Sequence, residues 1–178
     1  ENAVFIDDSK WELLEVGTNI PQIMKIDSSN RSELNNILEY VLAYTNDSNS
    51  NQTSTRLVDL ISIERIRRIL QAYPLRFPKK ILTSAEYCLM PDSLEKKIAY
   101  LAKRFAAKEA FSKAIGLGMR MPMTWRSLQT LNEASGKPVT TYSGALAQFM
   151  QEKNWKTHVT VSDEQDMAIA HVIVTANE

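Results

Sequence analysis

Two carboxylates in the chain stand where burial is otherwise asked for. Asp59 interrupts the run Leu57, Val58, Leu60 and Ile61. Glu109 continues a helical series of Leu94, Ile98, Leu101 and Phe105, whose spacings of four, three and four define an apolar stripe at about 100° per residue. On that wheel Glu109 falls about 60° from Leu94, at the margin of the core-facing side. A carboxylate there is costly unless it is paired or bound to a cation. Lys113 follows one turn later on the same side. Taken alone, Glu109 and Lys113 read as an ordinary helix-surface ion pair, and Asp59 as an edge-strand or turn acid. Taken together, a strand-borne Asp and a helix-borne Glu make a two-carboxylate seat for a hard cation such as Mg²⁺. That ion takes oxygen ligands and keeps positions open for water and substrate phosphate. A soft metal has no comparable seat: His158 and His171 lie thirteen residues apart, and Cys88 is the one cysteine. Cys88 itself reads as a buried small hydrophobe.

The basic residues form two groups. Arg65, Arg67, Arg68, Arg76, Lys79 and Lys80 flank a first predicted helix and its exit, and suit an acidic partner surface. Lys103, Arg104, Lys108 and Lys113 ride the helix of Glu109 and suit phosphates. Aromatic residues are not interleaved with either group and no glycine-rich loop precedes a lysine, which argues against a nucleic-acid surface and a P-loop nucleotide hydrolase. The net charge of zero hides an asymmetry: residues 1–55 carry three basic and nine acidic side chains, and residues 56–178 carry eighteen against twelve.

With 178 residues, 44% of them hydrophobic, the chain has enough material for one domain plus an appendage. No apolar run approaches the roughly 20 residues of a bilayer span, and the N-terminus lacks the layout of a secretory signal. A protein working in water, without a membrane partner, is expected. Residues 45–55 (TNDSNSNQTST) contain no apolar side chain and read as a linker or insert. Before them, residues 33–44 space Leu34, Ile37, Leu38, Val41 and Leu42 as a helix does, with Ser32 as a cap. Residues 11–26 read as a strand and turn broken by Pro21. After the linker, 56–62 predicts a short strand and 63–73 a helix with Ile66, Ile69 and Leu70 inward, ended by Pro74. Thr83 followed three residues later by Glu86 marks a helix start. A Pro-Asp-Ser turn at 91–93 leads into the longest helix, 94–115, which Gly116 and Gly118 close. A further helix is expected over about 144–151, and two β-rich runs, 158–162 and 167–175, carry a hairpin signal. The class is α+β.

These residues resemble a known family. Residues 104–118 (RFAAKEAFSKAIGLG) are similar to the signature of holo-[acyl-carrier-protein] synthases, the short 4′-phosphopantetheinyl transferases. Further blocks stand in the family's order: 58–66 (VDLISIERI), 76–86 (RFPKKILTSAE), Gly136-Lys137-Pro138 and 158–174 (HVTVSDEQDMAIAHVIV). The resemblance implies a small antiparallel sheet packed on one long helix, assembled as a homotrimer with sites between subunits. It also implies transfer of 4′-phosphopantetheine from coenzyme A to a serine of apo-acyl carrier protein. On the matching positions, Asp59 and Glu109 are the Mg²⁺ ligands, Glu109 and Lys113 the catalytic pair, Arg104 and Lys108 the coenzyme A contacts, and Arg65 and Arg76 the carrier-protein contacts. Position 163, His in some members, is Asp163 here. The family strand before the Asp usually has glycines spaced two apart, absent from Thr55-Arg56-Leu57-Val58. Residues 16–26 (VGTNIPQIMKI) look like a degenerate copy of that strand with Asn19 in the acid's place, and Asn19 lacks the charge for Mg²⁺. The expected organisation is an acidic extension over 1–55, with one helix and a polar linker, and a transferase domain over 56–178. A cytoplasmic location is expected, or a plastid-type organelle after removal of a targeting segment. A second reading is an inactive or regulatory homologue that binds the carrier protein while the acidic extension covers the basic groove.

Overall fold

A computed structural model describes residues 54–176. The expectations for 1–53, including the helix at 33–44 and the degenerate strand around Asn19, lie outside the described residues. Strand β1 (Ser54–Ser62) starts two residues earlier than predicted, because Ser54 and Thr55 pair with Thr175 and Val174. The polar tract therefore ends inside the sheet. Ser62 caps helix α1 (Ile63–Ala72), its hydroxyl accepting from the Arg65 N–H at 3.3 Å. Ile63, Ile66 and Leu70 form the helix's buried side. Helix α2 (Arg76–Ile81), which no periodicity announces, buries Phe77, Pro78 and Ile81. Helix α3 (Ser84–Cys88) opens on the Thr83/Glu86 capping box. The long helix α4 spans Leu94–Ala114.

Strands β2 (Leu128–Asn132) and β3 (Pro138–Tyr142) form a hairpin, followed by helix α5 (Gly144–Glu152), strand β4 (Trp155–Asp163) and strand β5 (Met167–Ala176). Strands β1, β5 and β4 make one antiparallel sheet in that order, with β1 on an edge. The expected α+β fold, a small antiparallel sheet on one long helix, is the fold observed.

Helix α4 lies across the sheet, and the facing residues are small. Ala168, Ala170, Val172 and Val174 of β5 and Ala106, Ala107, Ala110 and Ala114 of α4 are all at most 5% exposed. Short side chains bring the backbones close, and interior packing at this density leaves little room for movement of the helix. The other side of α4 is covered by the hairpin: Leu128 is fully buried and the Phe111 ring stacks on Tyr142 with centroids 5.6 Å apart. Being enclosed on two sides, α4 has no single apolar stripe. Leu94, expected at its start, is 51% exposed, because the sheet and hairpin meet the helix only farther along; Lys108 and Ser112 are buried instead. Cys88 is likewise exposed rather than buried, since it ends the short α3.

Candidate active site

Strand β1 and helix α4 bring three of the predicted residues together. Asp59, paired in register with Ala170, is 1% exposed. Lys113 Nζ donates to Asp59 Oδ1 at 2.9 Å and lies 3.9 Å from Glu109 Oε2. One ammonium thus gathers two carboxylates from elements 54 positions apart at the Lys113–Asp59 contact. The i,i+4 pair of Glu109 and Lys113 exists as its spacing predicts, yet it is turned to the sheet edge rather than to open solvent. Two acids converging from separate elements fit Mg²⁺, which is commonly held by one or two carboxylates with substrate phosphates completing its shell. No cluster of three or more His, Cys, Asp or Glu side chains occurs among the described residues, so nothing there competes as a closed all-protein cage.

Lys108 and Arg104, expected at coenzyme A, both have partners within the domain. Lys108 is fully buried, and its ammonium donates to Glu86 Oε2 at 2.8 Å and to the carbonyls of Trp125 and Leu128 at 2.7 and 2.5 Å. An ammonium has three donors, and these three bonds occupy them. Burial pushes the Lys108 pKa below its ordinary value, with Glu86 pulling it back up. The Glu86 carboxylate also accepts the N–H groups of Thr83 and Thr130, both at 2.8 Å, and so ties α3 to β2. Arg104 is 5% exposed, stacks on Tyr100 at 4.6 Å and donates to Asn132 Oδ1 at 3.1 Å. Asn132 Nδ2 in turn donates to the Gly136 carbonyl at 2.7 Å. The Gly136 φ of +87° suits glycine in that turn.

The remaining basic residues divide by partner. Lys103 pairs with Asp163 at 2.7 Å, closing the end of β4 onto α4. Arg67 makes a two-pronged pair with Glu95 at 2.7 and 2.5 Å and reaches Glu64 at 3.3 Å. Arg65 is half-buried near the start of α1, and Arg76, Lys79 and Lys80 are exposed on α2. Thr130 and Asn132 are supporting residues that carried no signal in the sequence, whereas Glu86 was marked there as half of a capping box and not as the partner of Lys108.

This fold and this acid–lysine–acid cluster define a class. The family model of the 4′-phosphopantetheinyl transferase superfamily matches residues 58–172. The chain belongs to that superfamily. Within it, the chain is 63% identical over 121 residues to a holo-[acyl-carrier-protein] synthase of Polynucleobacter asymbioticus, covering 66% of this chain and 93% of that protein. The crystal structure of holo-[acyl-carrier-protein] synthase from Neisseria meningitidis matches with a TM-score of 0.62 at 37% identity, over 66% of this chain and 94% of the other. The Helicobacter pylori holo-[acyl-carrier-protein] synthase in complex with coenzyme A matches with a TM-score of 0.58 at 27% identity, over 66% and 96%. No helix among the described residues is long and apolar enough to cross a membrane.

Proposed function

We propose that the chain transfers 4′-phosphopantetheine from coenzyme A to a serine of apo-acyl carrier protein, releasing adenosine 3′,5′-bisphosphate. The observation that carries this reading is the convergence of Asp59 and Glu109 on Lys113, in a chain 63% identical to a holo-[acyl-carrier-protein] synthase. Asp59 and Glu109 would hold Mg²⁺, which when bound would neutralise charge on the coenzyme's diphosphate. Glu109, whose side chain is 20% exposed, is placed to accept the proton of the serine hydroxyl. Lys113 stabilises the charge developing on the departing bisphosphate. Arg104 acts from behind by holding Asn132 and the Gly136 turn, while Lys108 is structural.

Arg65 and Arg76 meet the acidic carrier protein, with the exposed Lys79 and Lys80 extending the same basic field. The sheet supports self-association, taken here as the homotrimer of the family pattern. On its face away from α4, Leu60, Met167, Ile169 and Ile173 are only half-buried and share the face with Arg56, His158 and His171, a mixed surface open to a partner subunit. The reaction is placed in the cytoplasm, a reducing compartment suited to the exposed free thiol of Cys88.

The test is mass detection of carrier protein incubated with coenzyme A and Mg²⁺. The wild-type chain should add the phosphopantetheine mass, chelation of the metal should stop it, and Glu109→Ala should lower the rate at least about a hundredfold. Undiminished transfer by Glu109→Ala would remove the proposed site.

A further inference from the structure

Asp59 is the most enclosed member of the cluster, its side chain 2% exposed against 20% for both Lys113 and Glu109. An ionised carboxylate at that depth is costly unless a cation accompanies it. Lys113 supplies that cation, its ammonium 2.9 Å from Asp59 Oδ1 and 3.9 Å from Glu109 Oε2. A divalent ion held by the same two acids has to compete with this ammonium, because two cations at one carboxylate oxygen repel strongly where water is scarce. Lys113 can give way: it stands in the last turn of α4 on a flexible four-carbon stem, and its head is a compact charge without a fixed fork of donors.

We infer that Lys113 is an internal counter-ion for the metal site, holding Asp59 and Glu109 together in the metal-free protein and yielding them when a divalent cation binds. The released ammonium is then available to the phosphate anion of the coenzyme. Metal and lysine thereby occupy the acids in turn, and metal binding becomes the event that arms the lysine. This inference rests on the metal site of the proposed function and adds a sign to it: removing Lys113 should strengthen metal binding while it weakens transfer. A lysine serving only as a substrate contact would leave the metal affinity of the free protein unchanged, and one serving only as a structural brace would lower it.

The experiment is Mn²⁺ binding to the full chain without coenzyme A, read by the loss of the free-ion paramagnetic resonance signal. It compares wild type, Lys113→Met, Lys113→Arg and Asp59→Asn, each checked for folding by circular dichroism. Lys113→Met should bind Mn²⁺ about tenfold more tightly, the scale of one charge-assisted hydrogen bond removed from competition. Lys113→Arg, which keeps the charge, should stay near wild type, and Asp59→Asn should lose binding. Equal or weaker affinity in Lys113→Met, with binding still lost in Asp59→Asn, overturns the counter-ion role and leaves the metal site standing. Binding that survives Asp59→Asn, or none in any variant, overturns both. Lys113→Gln makes the same comparison if the methionine variant does not fold.

Discussion

At the scale of single residues, the Lys108–Glu86 pair is where the chain is most exposed to damage. Both side chains are fully buried, and each bonds backbone groups as well, Glu86 the N–H groups of Thr83 and Thr130 and Lys108 the carbonyls of Trp125 and Leu128. Lys108→Met fills similar space without the charge, so Glu86 is left buried with only its two backbone donors. Breaking a buried pair on one side costs roughly 3–5 kcal/mol, and the urea midpoint of Lys108→Met should fall accordingly. His171 makes a gentler prediction. Burial first, and then the Arg56 guanidinium, hold its imidazole below the ordinary value of 6.5. The folded state therefore keeps the neutral ring while the unfolded chain takes up a proton first as pH falls. The stability involved is complete above the unfolded pKa and is lost as pH drops through the folded one. Between about pH 7.5 and 5, wild type should lose more stability in urea than His171→Gln. Asp59, Glu109 and Lys113 were legible in sequence because two of them broke an apolar pattern. Lys108 was not, since its spacing from Arg104 and Lys103 is that of any solvated helix face; only the hairpin laid over that face buries it.

Among the elements, α4 decides whether the acids meet. Its close approach to β5 depends on alanines, and Ala110, next to Glu109, is fully buried. Ala110→Leu inserts three carbons where none fit, a change that commonly costs about 1–3 kcal/mol through displaced neighbours. The thermal midpoint should fall, and transfer by the still-folded fraction should fall further, because the shifted helix carries Glu109 and Lys113 away from Asp59. Such elements were readable to different degrees. β1, α1, α4 and the β4–β5 hairpin carry long periodic runs, and their predicted and observed bounds differ by three residues at most. The β2–β3 hairpin has strands of five residues, LQTLN and PVTTY, with little alternation, and shows only its Gly136-Lys137-Pro138 turn. α2 has six residues with Pro78 inside and is held by the burial of Phe77 and Ile81 rather than by propensity. Tertiary contacts, invisible in a local window, make both.

For the molecule as a whole, the charge division predicts how the carrier protein of the proposed reaction would arrive. Residues 56–178 hold eighteen basic and twelve acidic side chains, and the exposed Arg76, Lys79 and Lys80 stand together on α2. Arg67 adds little to that field, since Glu95 and Glu64 already neutralise it. Attraction of this kind accelerates encounter and weakens as salt shortens the screening length, from about 10 Å at 0.1 M to about 3 Å at 1 M. Carrier modification should therefore slow steeply with added salt through kcat/KM for the carrier, and measuring KM for coenzyme A alongside keeps any effect on that polyanion apart from the effect on the carrier. Arg76→Glu separates the two effects. It should raise KM for the carrier severalfold, flatten the salt dependence and leave KM for coenzyme A and the melting temperature unchanged, because Arg76 is exposed at the start of α2 and makes no ion pair among the described residues. An Arg76→Glu chain with wild-type carrier kinetics at low salt would put the docking face elsewhere on the domain.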